Sequence, residues 1–536
     1  MRKYSLFVVL FLTTILYSQG ISTVQQRKLG QALSAISGLY VDTISDSKIV
    51  ESSIRGILKD LDPHSVYIPK DEVQRMREPL EGSFEGIGVQ FQILEDTICV
   101  VQTIAGAPAE KVGVLPGDKI IFINNELVAG DKIKIQNSDV FKRLRGKKGT
   151  EVIVKVKRAN NPELIEFKIV RDKIPIYSVD ATYMVDKKTG YIKINSFGNT
   201  TSDEFTKALD KLKNEGMKDL VLSLQGNGGG FLGTAIQIAD EFLPADKLIV
   251  YTEGVNQPRN DAKSTSAGDF EKGRVIVLVD EFSASASEIL SGALQDWDRA
   301  VIVGVRTFGK GLVQREIPLV DGSMMRLTVA RYYTPTGRSI QKPYKDGTET
   351  YYKELTNRFT NGELMHADSI HFPDTLKFKT LISGRTVYGG GGIMPDVFVP
   401  VDTTEYSNFH RSMIAKGVVN RTAVEYLTNY RNELKKKYTS FSQFNTGFET
   451  DENLLKLLLA EANKEKIKFD AVQYDRSKKL IKLQLKALIA RDLWSENEYY
   501  QIIDRENESL LKAMEILNKN GEYEKILSPT KAVIKK

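Results

Sequence analysis

An α/β multidomain chain with helical ends is predicted, and three observations predict it. The apolar runs at 220–224 and 275–279 have strand length, and each leads through small or glycine residues into a helical pattern. Strict alternation at Val152, Val154 and Val156 marks strands of a second, half-buried kind. Helical spacing occupies both flanks, at Leu33, Ile36, Leu39 and Tyr40 near the start and at Leu454, Leu455, Leu458 and Leu459 near the end. A chain of 536 residues, 41% hydrophobic and 27% charged, can bury several cores and has a soluble globular composition. Its net charge of +6 comes from basic residues dispersed among acidic ones, so no nucleic-acid surface is expected.

Residues 1–20 read as a secretory signal peptide. Arg2 and Lys3 open it, residues 6–17 supply a short apolar core, and Ser18-Gln19-Gly20 offers small residues for cleavage after Gly20. The alternative is an uncleaved anchor, although the run is shorter than the roughly 20 residues of a spanning helix. Cys99 is the only cysteine, so no intrachain disulfide can form. A single thiol in an exported protein fits a bacterial envelope, where disulfides are optional. Cys99 itself lies in a strand-like stretch and is expected to be a small core residue.

The next segment, 21–81, is helical in pattern and is broken at Leu61-Asp62-Pro63-His64-Ser65, because proline disfavours helical geometry in the residue before it. His64 is expected to make a structural hydrogen bond in that turn. Residues 82–172 resemble a PDZ domain. Gly86-Ile87-Gly88-Val89 is similar to the glycine loop whose backbone N–H groups bind a peptide's terminal carboxylate, and the following strand would pair with that peptide by β-augmentation. Leu115-Pro116-Gly117-Asp118-Lys119-Ile120 stands in register downstream. Arg145 has no core role by pattern and is assigned as a contact to the following domain.

Residues 173–403 carry the chemistry. The strand at 220–224 runs into Gln225-Gly226-Asn227-Gly228-Gly229-Gly230, whose consecutive glycines expose backbone donors suited to a phosphate or an oxyanion. The spacing matches neither a P-loop nor a dinucleotide fingerprint. After the strand at 275–279 comes Ser283-Ala284-Ser285-Ala286-Ser287-Glu288. A serine at such a corner can be exposed beside the free N–H groups of a helix start, yet it is inert without a base. The four histidines, His64, His366, His371 and His410, offer none in a glycine-punctuated turn. Lys310, between Gly309 and Gly311 with its stem against apolar surface, is the better base, since burial lowers a lysine pKa. Gln314, four residues on, is placed to orient the amine. The plainer reading of the same residues is helix caps, packing and a solvated loop lysine.

These motifs together resemble the carboxy-terminal processing (tail-specific) serine proteases. The resemblance covers about 25–400 and implies a crotonase/ClpP-like α/β core, with Ser285 as nucleophile, Lys310 as base and Gln314 as its partner. It also implies Gly230 and Ala286 as oxyanion donors. Ser223-Leu224-Gln225 departs from the family's Asp-Leu-Arg, so the ion pair that braces the glycine loop is expected to be absent. The stretch 344–383 is polar and reads as an insertion. No histidine–carboxylate spacing recurs, so neither a metal nor a cofactor is expected.

Residues 404–536 read as a helical region packing on the core or on another subunit, with solvated structural helices as the default. It is the surface expected to serve a homo-oligomer or an adaptor. The sequence as a whole therefore points to an exported serine endopeptidase of the bacterial periplasm or cell envelope. It would act on protein substrates whose free, apolar C-termini are captured by the PDZ domain, with no membrane span after signal removal. The rivals are a catalytically dead PDZ adaptor of the envelope and a Ser–Lys amidase of small amides.

Overall fold

The computed structural model describes residues 20–529 apart from 95, 131, 132, 159 and 160, so the expected signal peptide lies, but for Gly20, outside the described residues. At the centre is a six-stranded sheet in the order Val179–Met184, Thr189–Ile194, Asp219–Ser223, Val275–Val279, Val301–Gly304, Val397–Phe398. The first pair is antiparallel and every later pair parallel. Successive side chains leave such strands on opposite faces. Leu220, Leu222, Val275, Val277 and Val279 accordingly join Phe205, Leu209, Ile238 and Leu290 from the helices Thr201–Asn214, Leu232–Asp240 and Ala286–Asp296.

Val221, Ile276, Leu278, Val301 and Val303 point the other way and meet Leu510, Ala513, Ile516 and Leu517 of the helix Glu508–Asn518, with Tyr523 beyond it. Both faces are thus covered, which is why the strand sequences are apolar without alternation. The final helices are therefore not a solvated appendage. They form the second layer of the sheet, over the apolar face that its strands leave. The rest of the C-terminal region closes a core of its own, in which Leu427, Leu455, Leu458, Ile481, Leu485 and Ile489 are buried.

A five-stranded antiparallel sheet flanks this layer: Met324–Tyr333 pairs with Leu312–Pro318, Leu248–Gly254 and Val66–Ile68, and Gln257–Lys263 pairs with Leu248–Gly254. The strand Val66–Ile68 follows the Asp62–Ser65 turn, so the N-terminal helices Thr23–Leu39 and Asp46–Leu61 are tied to the core by the turn that ends them.

The segment that resembles a PDZ domain enters and leaves through a ladder of Ser83–Gly86 with Asp172–Pro175. Its strands run in the order Val89–Leu94, Thr97–Thr103, Lys119–Ile123, Glu151–Lys157, Leu164–Val170, and Val89–Leu94 is left at the edge. Ile98, Ile120, Val140, Val152, Val154 and Val156 fill its core, and Cys99 is buried as expected. Arg145 has its hydrogen-bonded and stacking partners, among the described residues, outside the domain at 173–403. It stacks on Phe84 and Phe141, each 4.5 Å away, and pairs with Glu78 of the helix Lys70–Glu81.

Candidate active site

Ser285 caps the helix Ala286–Asp296 with φ 57° and ψ −111°, a conformation that costs a non-glycine residue about 1–3 kcal/mol. The surroundings hold it there. Ser283 Oγ donates to Leu224 O at 2.8 Å, Ala284 N to Asn227 O at 3.0 Å, and Ser287 Oγ to Asn227 O at 2.9 Å. The outer serines of the Ser-Ala-Ser-Ala-Ser run are thus spent on backbone carbonyls. The middle serine, half-buried, makes no such bond to a carbonyl and forms a capping box with Glu288.

Two side chains join the serine corner to the lysine loop. Glu288, fully buried, accepts Ser285 N (2.8 Å) and Lys310 N (2.9 Å) on one carboxylate oxygen. Its other oxygen accepts Gly309 N (2.7 Å) and Thr307 Oγ1 (2.6 Å). Burial pushes this carboxyl up to about 6, against the four donors that favour its ionised form. From the opposite side, the Tyr332 hydroxyl is shared between Ser285 O, at 3.0 Å, and Lys310 O. Burial keeps that phenol protonated and therefore a donor. One acid and one phenol fix the backbone of both residues.

Lys310 is brought down to about 8, chiefly by burial and then by the Arg326 charge, while Glu288 and Asp62 pull the other way. Gln314 lies on Leu312–Pro318 opposite Thr328, and its amide nitrogen donates to Leu312 O (3.2 Å) and Thr328 Oγ1 (3.4 Å) rather than to Lys310. The Thr328 hydroxyl in turn donates to Asp62 Oδ1 at 3.1 Å. His64 meets the Tyr351 hydroxyl at 2.9 Å, as expected of a structural turn histidine, and burial with the neighbouring Lys310 charge lowers it to about 4.

The glycine loop lies against the serine. A Cβ on Gly229, whose φ is +100°, would fall 2.8 Å from Ser285 Cβ and 3.0 Å from Ala286 N, so only glycine fits. Gly230 bridges Phe197, and neither its N–H nor that of Ala286 has an acceptor among the described residues. Hydrogen bonds brace the loop in place of an ion pair. Gly226 N donates to Asp280 Oδ2 (2.8 Å), Asn227 Nδ2 to Ile194 O (2.9 Å), and Gly229 N to Asn227 Oδ1 (2.8 Å).

The 344–383 stretch is more than an insertion. Its helix Thr348–Thr360 supplies Tyr351 to His64, and its buried Arg358 donates to Thr307 O (2.7 Å), Phe308 O (3.1 Å) and Arg306 O (3.2 Å). Sequence reading passed over Glu288, Tyr332 and Arg358. Only Glu288 carried a local signal, three residues after a helix cap.

At the edge strand of the PDZ-like segment, Ile87 O accepts Ala109 N (2.9 Å) and Gly88 O accepts Ile104 N (3.0 Å). A Cβ on Gly88, at φ +77°, would strike Ala107 Cβ at 2.2 Å. Gly86 ends the entry ladder and Val89 begins the edge strand. A cleft of about 1210 Å³ opens there, walled by Ile87, Phe141 and Leu144 on one side and by Thr182, Trp494 and Tyr500 on the other. Ser285 and Lys310 do not line it.

Residues 188–350 match peptidase family S41, residues 86–169 a PDZ domain, and residues 409–495 a family of unknown function. The carboxy-terminal-processing protease of Bartonella bacilliformis is 36% identical over 357 residues, 63% of this chain and 80% of that protein. The chain belongs to the carboxy-terminal processing proteases. Two further members of this serine peptidase family, from Bacillus subtilis, are similar to it. CtpB is 37% identical over 59% of this chain, and CtpA 35% identical over 60%. The chain spans 65% of CtpB and 72% of CtpA. None of these three alignments spans more than 63% of the chain. No helix among the described residues is long and apolar enough to cross a membrane.

Proposed function

We propose that the protein is an exported endopeptidase that cuts substrates near free C-terminal tails by a Ser–Lys acyl-enzyme route. The observation that carries this is the double clamp of Glu288 and Tyr332 on Ser285 and Lys310, beside two unpaired backbone donors. In its neutral form the Lys310 amine takes the proton of Ser285 Oγ as that oxygen bonds to the scissile carbonyl carbon. The carbonyl oxygen becomes an oxyanion received by the N–H groups of Gly230 and Ala286, each worth about 3–4 kcal/mol in the transition state. The C–N bond then breaks, the lysine ammonium returns its proton to the leaving amine, and an ester on Ser285 remains. Water, deprotonated by the same lysine, hydrolyses it. Gln314 would steady the amine once a substrate reorders its hydrogen bonds.

The tail itself would lie along Val89–Leu94, its carboxylate on the N–H groups of the Gly86–Val89 loop and its apolar side chains in the cleft beside Phe141 and Leu144. Export, to a periplasm or cell envelope, rests on the 1–20 pattern. A model protein carrying an apolar C-terminal tag, incubated with wild type, Ser285→Ala and Lys310→Ala, tests the scheme. Cleavage by wild type only is expected, and undiminished cleavage by either variant would refute it.

A further inference from the structure

Behind the glycine loop lies a buried polar cluster shared between the core and the C-terminal helices. Lys193, on the strand Thr189–Ile194, is 9% exposed and donates to Gln225 O at 2.8 Å. The Gln225 side-chain oxygen accepts from Asn507 Nδ2 at 2.9 Å. Asn507 caps the helix Glu508–Asn518, its own oxygen accepting Leu510 N at 3.3 Å, and Nδ2 also donates to Asp504 Oδ1 at 3.1 Å. Asp504 is 6% exposed and receives the Tyr183 hydroxyl at 3.1 Å. Around Lys193 stand the charges of Asp504, Asp180 and Asp280 and, 5.2 Å away, the ring of Tyr500. Three carboxylates and a phenol ring thus keep one buried ammonium aimed at Gln225.

Gln225 is the residue through which the strand Asp219–Ser223 passes into the glycine loop ending at Gly230. Its main-chain carbonyl is held by the core and its side chain by the C-terminal helices. We propose that Asn507 is a positioning residue for the oxyanion loop, so that the C-terminal helical layer sets the alignment of the Gly230 donor. The inference rests on the Ser–Lys reading above. An oxyanion donor acts on the transition state and not on the bound substrate, so an error in its placement lowers kcat and leaves KM alone. The loop keeps its other anchors, at Asp280, Asn227 and Phe197, when Asn507 is lost. The expected loss is therefore about 3–10-fold, that of one neutral hydrogen bond. It stays well short of the roughly 10²–10³-fold lost with an entire donor.

Asn507→Ser separates the two roles of the residue, because serine still caps the helix but is too short to reach Gln225. In the full chain, Asn507→Ser and Gln225→Ala should each lower kcat on a tail-tagged substrate by about 3–10-fold. KM should not change. Affinity for a peptide boronic acid, whose tetrahedral adduct fills the same oxyanion pocket, should fall by the same factor. The double variant should lose no more kcat than Asn507→Ser alone, since both variants break the same Gln225–Asn507 bond. Tyr523→Phe, which releases a hydroxyl held by Val275 O and Arg299 O at 3.2 Å far from the loop, should lower Tm and leave kcat as in wild type.

Wild-type kcat and boronate affinity in Asn507→Ser would overturn this inference alone, as would losses that multiply in the double variant. A wild-type chain that neither cleaves nor binds the boronate would overturn the Ser–Lys reading and this inference with it.

Discussion

At the scale of single residues, the site turns on a lysine placed where its charge is disfavoured. With Lys310 brought down to about 8, the neutral amine is populated near neutral pH, which an ordinary lysine at 10.5 would not allow. The kcat/KM profile should therefore rise with pH and level off above about 8, a limb that steady-state rates between pH 6 and 9.5 would trace. The same displacement has a stability consequence. A lysine whose folded pKa is depressed stabilises the fold only above its unfolded value of 10.5, and that contribution is lost as pH falls through about 8. At pH 7 the buried ammonium costs about 2–4 kcal/mol. Lys310→Met should be inactive yet more stable than wild type at pH 7, with the advantage shrinking between pH 8 and 10.5. Denaturant midpoints at pH 7 and pH 10 measure this, and a pH-independent difference would mean that Lys310 is not held against its charge.

At the scale of elements, the strand–turn–helix from Val275 to Asp296 was readable, because its apolar run, small residues and helical period all lie within about twenty positions. What was not readable is what clamps it. Glu288 looks like an ordinary first-turn acid until Lys310 folds back onto it, and Tyr332 looks like a strand aromatic. The Thr348–Thr360 helix shows the same limit: its polar sequence hides Arg358, 1% exposed, beneath the lysine loop. Arg358 also donates to Glu354 at 2.6 Å, and Glu354 is held by Lys342 at 2.8 Å. Arg358→Met would strand two buried carbonyls and a half-buried third and unbalance that ion cluster, a change worth about 3–5 kcal/mol. We expect a lower Tm, a lower kcat, and faster hydrogen exchange concentrated at residues 307–310. Exchange unchanged there would show that the insertion helix does not hold the base loop.

At the scale of the whole molecule, helical periodicity in 404–536 named the apolar stripes but not the surface they meet, since any apolar face would satisfy them. The stripes at 454–459 and 481–489 close a core of their own, and it is the later helix Glu508–Asn518 that meets the sheet. Leu510, Ile516, Leu517 and Tyr523 are each buried against it. At about 1.5–3 kcal/mol for a fully buried large apolar side chain, their loss is comparable to the 5–15 kcal/mol by which a domain is stable at all. A chain ending at Ile503 should then be as defective as one ending at residue 403, because both uncover Val221, Ile276, Leu278, Val301 and Val303. Both should be insoluble or molten, with near-ultraviolet circular dichroism lost and peptidase activity absent. Replacing Leu510 by Ala in the full chain is the milder form of the test, and removing so buried a side chain should cost about 2–5 kcal/mol and shift the melting of the entire core rather than of a separate helical unit. A truncated chain that melts cooperatively at the wild-type temperature would show that the sheet needs no second layer, and would return the C-terminal helices to the status of an attachment.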